Sequence, residues 1–251
     1  MLRLFAEPRD ITAKTIKLSA EDLEHIRSLR LRPDELFIVC DGKGVDYECR
    51  LGSQKEDTVA EIIRQCQSKG EPSVECTVYI AYAKGERLDY AVQKSVELGA
   101  HGIVLYKSNR CVAVPNNVQK KTARLQRIAL ETAKQCGRGL VPVVTAGGEF
   151  ETVTDMAVDR SELSLLCYEG ENFLHLKKVL EQYFPPLPGH EAYTVKSVSI
   201  ITGPEGGFES DEVKLAQSKG IHIVSLGPRI LRSETAPVVA LSAIMLHTGN
   251  L

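Results

Sequence analysis

The sequence predicts an α/β protein with a mostly parallel sheet, preceded by a small β-rich domain. From Val74 onward, short apolar runs rich in β-branched residues alternate with segments of helical periodicity, a pattern typical of βαβ units. Residues 1–70 instead carry short strand-like runs around a turn. The chain has 251 residues, 43% of them hydrophobic, so it is long and apolar enough for one large domain or two modest ones.

The first domain contains a hairpin signature. Strand-like residues 36–40 and 45–51 flank the turn sequence Asp41-Gly42-Lys43-Gly44. Residues 59–63 predict a further strand, and residues 19–29 predict a helix with Ser19 as its N-cap. The polar stretch 68–73, which contains both Gly and Pro, is the predicted linker.

The second domain shows an alternation of strands and helices. Strands are predicted at residues 74–81, 102–106, 163–167, 197–201 and 221–225, and helices at 86–98, 117–136, 173–182 and 210–219. A last helix is predicted to begin with Ser233 as N-cap and to accept Pro237 in its first turn. Its residues 238–246 are apolar nearly all round, which predicts burial, partly in a subunit interface.

Composition excludes several classes of protein. The seven cysteines include no C-x-x-C pair and the six histidines include no H-x-x-x-H pair, so we expect no disulfide framework and no metal site. No apolar run approaches the ~18 residues that span a bilayer, and no signal peptide is recognisable, so we expect a soluble, cytoplasmic protein. The fingerprints G-x-G-x-x-G, G-x-x-x-x-G-K-[ST] and G-x-S-x-G are absent where a Rossmann enzyme, a P-loop NTPase or an α/β-hydrolase needs them.

Two loops near the C-terminus carry the strongest chemical signal. Thr202-Gly203-Pro204-Glu205-Gly206-Gly207-Phe208 follows one predicted strand, and Leu226-Gly227-Pro228-Arg229-Ile230-Leu231-Arg232-Ser233-Glu234-Thr235-Ala236 follows the next. Glycine and proline at strand ends let a ligand approach the backbone, and parallel strands bring such loops to one edge of the sheet. We therefore expect one ligand pocket there; two ordinary strand-to-helix turns are the alternative.

These two loops resemble the RsmE family, 16S ribosomal RNA uridine-N3 methyltransferases of the SPOUT superfamily. The resemblance extends upstream to Lys84-Gly85-Glu86-Arg87, Gln93-Lys94-Ser95-Val96-Glu97-Leu98-Gly99, Ser108-Asn109-Arg110 and Gln135-Cys136-Gly137-Arg138, and covers most of residues 74–251. Departures from the family pattern are small: Ser233, Lys134, Cys136 and Glu209 replace commoner residues. Only Glu209, at a helix cap, is expected to alter local geometry.

The resemblance implies a fold, a cofactor and an assembly. Residues 1–70 would form a PUA-like RNA-binding β-barrel, and residues 74–251 a SPOUT methyltransferase domain with a parallel sheet and a C-terminal trefoil knot. S-adenosyl-L-methionine would bind in a bent shape inside the knotted loops of a homodimer. The substrate would be 16S rRNA or the small ribosomal subunit, with no membrane and no metal involved.

The resemblance also implies a set of site residues. Arg232 would orient the base or stabilise charge, although an arginine beside a glutamate is as often a structural ion pair; Glu205 is the other catalytic candidate, and no general base is identifiable. The residues implied in cofactor binding are Thr202, Gly203, Pro204, Glu205, Gly206, Gly207, Leu226, Gly227, Ile230, Leu231, Arg232, Glu234, Thr235 and Ala236.

Basic residues on one helix face suit an RNA backbone even though the net charge is −2. The predicted RNA-binding residues are Arg27, Arg30, Lys120, Arg124, Arg127 and Arg138. A solvated helix face is the alternative. Two other functions remain open: a SPOUT methyltransferase of another rRNA or tRNA nucleotide, and a catalytically silent RNA-binding factor of ribosome assembly.

Overall fold

A computed structural model describes residues 1–32, 34–52, 59–170, 174–185 and 193–251. The chain divides into two compact units. The first comprises residues 1–71 together with 131–141, and the second comprises residues 72–130 together with 142–251. The sequence pattern did not predict that residues 131–141 belong to the first unit.

The first unit contains a five-stranded sheet in the order β1-β3-β4-β5-β2. Its elements are β1 (Arg3–Phe5), a 3-10 helix (Pro8–Asp10), β2 (Thr15–Lys17), α1 (Ala20–Ser28), β3 (Phe37–Cys40), β4 (Val45–Leu51) and β5 (Val59–Gln67). The predicted hairpin is confirmed, because β3 and β4 pair antiparallel. The predicted cap of α1 is also confirmed, since the side chain of Ser19 accepts a hydrogen bond from the backbone N–H of Asp22.

A buried ion pair lies within the first unit. The guanidinium of Arg138 donates to the Glu71 carboxylate at 2.7 Å, and its side chain is only 4% exposed. The backbone N–H groups of Gly139 and Leu140 donate to the other Glu71 oxygen at 2.9 and 3.0 Å. Such a pair is tolerated inside a protein because its remaining polar atoms are also hydrogen-bonded.

The second unit contains a seven-stranded sheet in which every pair is parallel, in the order β10-β12-β9-β11-β6-β7-β8. Its strands are β6 (Glu75–Ala81), β7 (Gly102–Lys107), β8 (Val143–Glu149), β9 (Leu163–Cys167), β10 (Leu174–His175), β11 (Ser197–Thr202) and β12 (His222–Ser225). Its helices are α2 (Arg87–Glu97), α3 (Val118–Cys136), α4 (Phe150–Arg160), α5 (Leu176–Tyr183), α6 (Ser210–Ser218) and α7 (Thr235–His247). The last residues of α3 belong to the first unit.

The strands predicted in this region are confirmed, and their burial explains the apolar runs. All five residues of β9 are buried, as are five of the six in β11. Helices cover both faces of a parallel sheet, so its central strands lose the polar alternation of a half-exposed strand. The helix predicted at 173–182 corresponds to α5, and its first residue, Phe173, lies outside the described residues.

The prediction for the start of the last helix was wrong. α7 begins at Thr235, with Glu234 rather than Ser233 in the N-cap position. The Ser233 hydroxyl donates to the Glu234 carboxylate at 3.2 Å. The carbonyl of Arg232 accepts the N–H groups of Thr235 and Ala236, which forms a turn before the helix. Pro237 lies in the first helical turn as predicted.

Among the described residues, no helix is long and apolar enough to cross a membrane. The same part of the chain contains no group of three or more His, Cys, Asp or Glu residues arranged to hold a metal ion. All seven cysteines are free thiols.

Replacing Glu71 with Ala is expected to lower the free energy of unfolding by about 3–5 kcal/mol, because it removes the carboxylate that pairs with the buried Arg138 guanidinium. Urea denaturation of the full chain measures this. Glu61→Ala is the control: it removes a surface ion pair with Arg50 whose side chains are 44–51% exposed, and should cost less than about 1 kcal/mol. Equal effects of the two substitutions would contradict a structural role for Glu71.

Candidate active site

The two glycine-bearing loops lie together because of strand register. Cys167, the last residue of β9, pairs with Thr202 of β11 on one side and with Val224 of β12 on the other. The loops that follow β11 and β12 therefore leave the same edge of the sheet on either side of β9. This is the carboxyl edge, where open parallel sheets bind ligands.

A cavity of about 360 Å³ opens between these loops. Its lining includes the predicted residues Gly203, Pro204, Glu205, Gly207, Ile230, Leu231, Arg232 and Ala236. A smaller cavity of about 50 Å³ is lined in part by Leu226, Gly227, Leu231 and Ala236. The larger volume lies within the ~300–1,000 Å³ that is usual for sites of drug-sized ligands.

Four predicted cofactor residues do not line either cavity: Thr202, Gly206, Glu234 and Thr235. Thr202 is fully buried, its hydroxyl donates to the carbonyl of Tyr79, and its own carbonyl accepts the buried Tyr106 hydroxyl at 2.9 Å. Thr202 therefore supports the cavity from behind. Burial raises the pKa of Tyr106 far above its usual value, so this donor keeps its proton.

The glycines of the first loop lie against neighbouring protein atoms that leave little room for a Cβ. A Cβ at Gly203 would come within 3.0 Å of the Phe208 ring, and one at Gly206 within 2.9 Å of the Arg110 side chain. At Gly207, where φ is +68°, a Cβ would overlap the Glu169 carboxylate. These contacts give the glycines a structural reason, and the close approach of a cofactor to the backbone stays a prediction.

The Glu205 side chain links the loop after β11 to the segment that follows β6. One carboxylate oxygen accepts the N–H of Lys84 and the guanidinium of Arg87, both at 2.9 Å. Burial alone would raise the pKa of Glu205, but these hydrogen bonds and the Arg87 charge outweigh it, and the pKa lies below its ordinary value. The other oxygen, Oε2, is buried and has no hydrogen-bond partner among the described residues.

Arg232 does not form a structural ion pair with any described residue. Its side chain lines the cavity and is exposed, and within the described part of the chain it has no carboxylate within ion-pair distance. The neighbouring carboxylate of Glu234 instead faces the guanidinium of Arg87, 3.9 Å away. The Arg232 charge is thus available to a ligand.

The predicted basic residues have different surroundings. Lys120 and Arg127 are exposed on α3, and Arg27 and Arg30 are exposed in the first unit. Arg124 is exposed but pairs with Asp89 of α2, 2.7 Å from one carboxylate oxygen. Arg138 does not belong to this surface, because it is buried against Glu71.

Sequence comparison with known proteins gives consistent matches. Residues 70–245 match a family described as an RNA methyltransferase domain, and residues 18–63 match an RNA methyltransferase PUA domain. A ribosomal RNA small subunit methyltransferase E of Synechocystis sp. is 33% identical over 243 residues, covering 96% of this chain and 76% of that protein. The protein of the same name from Bacillus subtilis is 31% identical, covering 94% and 91%.

The chain belongs to the RsmE family. A ribosomal RNA small subunit methyltransferase E of Neisseria gonorrhoeae, crystallised with S-adenosyl methionine, superimposes with a TM-score of 0.80 at 28% identity over 98% of this chain and 97% of that one. A provisionally named methyltransferase of Legionella pneumophila, also in complex with this cofactor, gives 0.80 at 25% identity over the same shares. The predicted fold class, a SPOUT-type α/β sheet with an N-terminal PUA domain, is confirmed.

Four residues that line the larger cavity were not among the predicted site residues: Arg87, Cys167, Glu169 and Ser233. Arg87 lines the cavity and holds Glu205; it lies in the upstream segment that carries the family resemblance, which was the available signal. Glu169 follows β9 and lines both cavities. A carboxylate directly after a buried parallel strand lies at the ligand-binding edge of the sheet, so its position in the sequence could have indicated a site residue.

Replacing Glu205 with Gln is expected to lower the free energy of unfolding by about 1–2 kcal/mol at neutral pH, because a charge-assisted hydrogen bond is lost. The folded-state pKa of Glu205 is lowered. The stabilisation is therefore fully present above the ordinary glutamate pKa and disappears as the pH falls through the lowered value. Urea titrations across an acidic pH series should show the two proteins converging at low pH.

The control for this series is Asp211→Asn, which neutralises a side chain that is 90% exposed on α6. It should cost less than about 1 kcal/mol at neutral pH, because exposed ion pairs contribute little to stability. A gap between wild type and Glu205→Gln that widens on acidification would contradict the lowered pKa.

Proposed function

We propose that this protein is an S-adenosyl-L-methionine-dependent methyltransferase that modifies N3 of a uridine in the 16S rRNA of the small ribosomal subunit. One observation carries the proposal: two glycine-bearing loops enclose a cavity at the carboxyl edge of the sheet, and on its wall lies Arg232, which has no ion-pair partner among the described residues. RsmE relatives named for small-subunit rRNA, one of them crystallised with this cofactor, support the substrate and the methyl donor.

The cavity's lining fits this cofactor. Ile230 and Leu231 offer apolar surface to adenine, and Leu226 and Gly227 offer backbone polar groups nearby. Gly203, Pro204, Gly207 and Ala236 complete the wall. We place Thr202, Gly206, Glu234 and Thr235 in a supporting role outside the wall.

When bound, S-adenosylmethionine supplies a methyl group on positively charged sulfur. Transfer forms a bond between uracil N3 and the methyl carbon, breaks the sulfur–carbon bond with its electron pair remaining on sulfur, and releases the N3 proton to solvent. The Arg232 guanidinium stabilises negative charge on uracil O2 or O4, which makes N3 a better nucleophile. Glu205 serves as a clamp, because a carboxylate of lowered pKa is a weak general base.

Arg232→Ala is expected to lower kcat by about 10²–10³-fold, as for loss of one charge-stabilising donor. Calorimetry should find cofactor affinity nearly unchanged. Arg229→Ala is the matched control, since Arg229 is exposed on the same loop and lines only the smaller cavity. A large loss of cofactor binding in Arg232→Ala would contradict its role towards the base.

RNA contacts are proposed for Lys120, Arg124 and Arg127 on α3 and, separately, for Arg27 and Arg30 in the PUA domain. Their exposure supports this, whereas the burial of Arg138 removes it from the set. The double substitution of Lys120 and Arg127 by Ala should weaken RNA binding and lower the slope of log affinity against log salt by about 1.5.

The matched control for RNA binding is a double substitution of Arg160 and Lys214 by Ala, which removes the same charge from exposed positions on α4 and α6. Filter binding at several salt concentrations measures both variants. Equal salt slopes would show that α3 lies away from the RNA.

We also propose a homodimer and the trefoil knot implied by the family. The exposed Leu246 of α7, 69% accessible, supports a dimer, because it lies on an apolar groove with Val239 and Ala243. Light scattering of the purified protein measures the mass; a monomer at micromolar concentration would contradict the dimer.

The decisive experiment maps methylated nucleotides in ribosomal and transfer RNA from cells that lack the protein. Loss of one N3-methyluridine in 16S rRNA, restored by wild type and not by Arg232→Ala, is expected. Loss of a tRNA methyl group would instead assign another SPOUT substrate. An unchanged methylation pattern together with no cofactor binding would assign a silent assembly factor.

A further inference from the structure

Glu169 lies on the cavity wall but belongs to neither of the two glycine-bearing loops. It follows Cys167 by two residues, and β9 lies between β11 and β12 in the sheet. The segment after β9 therefore emerges between the two glycine-bearing loops. Glu169 accordingly lines both the larger and the smaller cavity, together with Cys167, Leu231 and Ala236.

The first glycine loop is shaped around this carboxylate. Gly207 adopts a positive φ of +68°, and its N–H donates to the carbonyl of Pro204 at 3.0 Å. The Glu169 Oε1 atom occupies the space where a Cβ of residue 207 would stand. Because residue 207 is a glycine, the space beside it is free for the carboxylate, which lies at the cavity wall.

The carboxylate of Glu169 has no compensating cation in the part of the chain that the structure describes. Among the described residues it makes no hydrogen bond and no ion pair within 4.0 Å, although Arg87 lines the same cavity. Arg87 instead faces Glu205 and Glu234. Of the described residues that line the cavity, Glu169 is thus an anion and Arg232 a cation without an ion-pair partner.

We propose that Glu169 recognises the positive charge on the sulfur of the methyl donor and so makes the site prefer the donor over the neutral thioether product. This inference rests on the proposed function. The sulfur carries a charge of +1 before transfer and none afterwards, so attraction to a nearby carboxylate is lost when the methyl group leaves. Glu169 is a binding residue for the donor, and the neutral product lacks this attraction.

The test is titration calorimetry of the full-length protein with S-adenosylmethionine and, separately, S-adenosylhomocysteine. Glu169→Gln keeps the shape of the side chain and removes its charge. We expect about a five-fold loss of donor affinity, the size of a partly solvated ion pair. Affinity for the thioether should stay within about two-fold, because only the donor carries the sulfur charge.

Two further variants complete the design. Glu169→Asp retains the charge and should keep most of the donor preference, whereas Glu151→Gln, an equal charge change at an exposed position of α4 outside both cavities, should alter neither affinity. Equal losses for the two ligands in Glu169→Gln would overturn charge recognition, and so would no loss for either.

The outcome for wild type separates this inference from the proposed function. Wild-type protein that binds the donor and a Glu169→Gln variant with unchanged preference would overturn only the role of Glu169. Wild-type protein that binds neither ligand at millimolar concentration would overturn both.

Discussion

The site depends on one constraint: Cys167 is paired in parallel register with two strands at once. Thr202 and Val224 flank it in the sheet, so the loops after β9, β11 and β12 start at the same level. A shift of one residue in either pairing would reverse the faces of an entire buried strand, because side chains alternate along it. The burial of β9 and β11 therefore fixes the geometry of the cavity as well as the core.

Buried polar groups hold this edge in place from behind. The Tyr106 hydroxyl and the carbonyl of Tyr79 both bond to Thr202, and the buried carboxylate of Glu212 accepts the Ser108 hydroxyl and the N–H of Asn109. The charged groups that face the cavity differ in whether they have an ion-pair partner. Arg87 pairs with Glu205, whereas Glu169 and Arg232 have no ion-pair partner within 4.0 Å in the described part of the chain.

Much of the fold could be predicted from periodicity, because strands buried on both faces and amphipathic helices leave strong local patterns. The glycine loops were found for the same reason, since Gly and Pro interrupt those patterns. Contacts between distant residues left no local trace: Glu169 beside Gly207, and Arg87 beside Glu205, are separated in sequence by up to 118 positions. Ser233 was misassigned as a cap because its hydroxyl bonds to the adjacent Glu234 carboxylate.

The assignment of residues 131–141 to the first unit affects how such a protein can change in evolution. The chain crosses between units at 71/72, 130/131 and 141/142, and the second crossing lies inside α3. A recombination event that exchanged only the N-terminal segment would bring in a new partner for Arg138 and discard Glu71. Residues 1–71 and 131–141 would therefore have to change together, because the Arg138–Glu71 pair joins these two segments of the first unit.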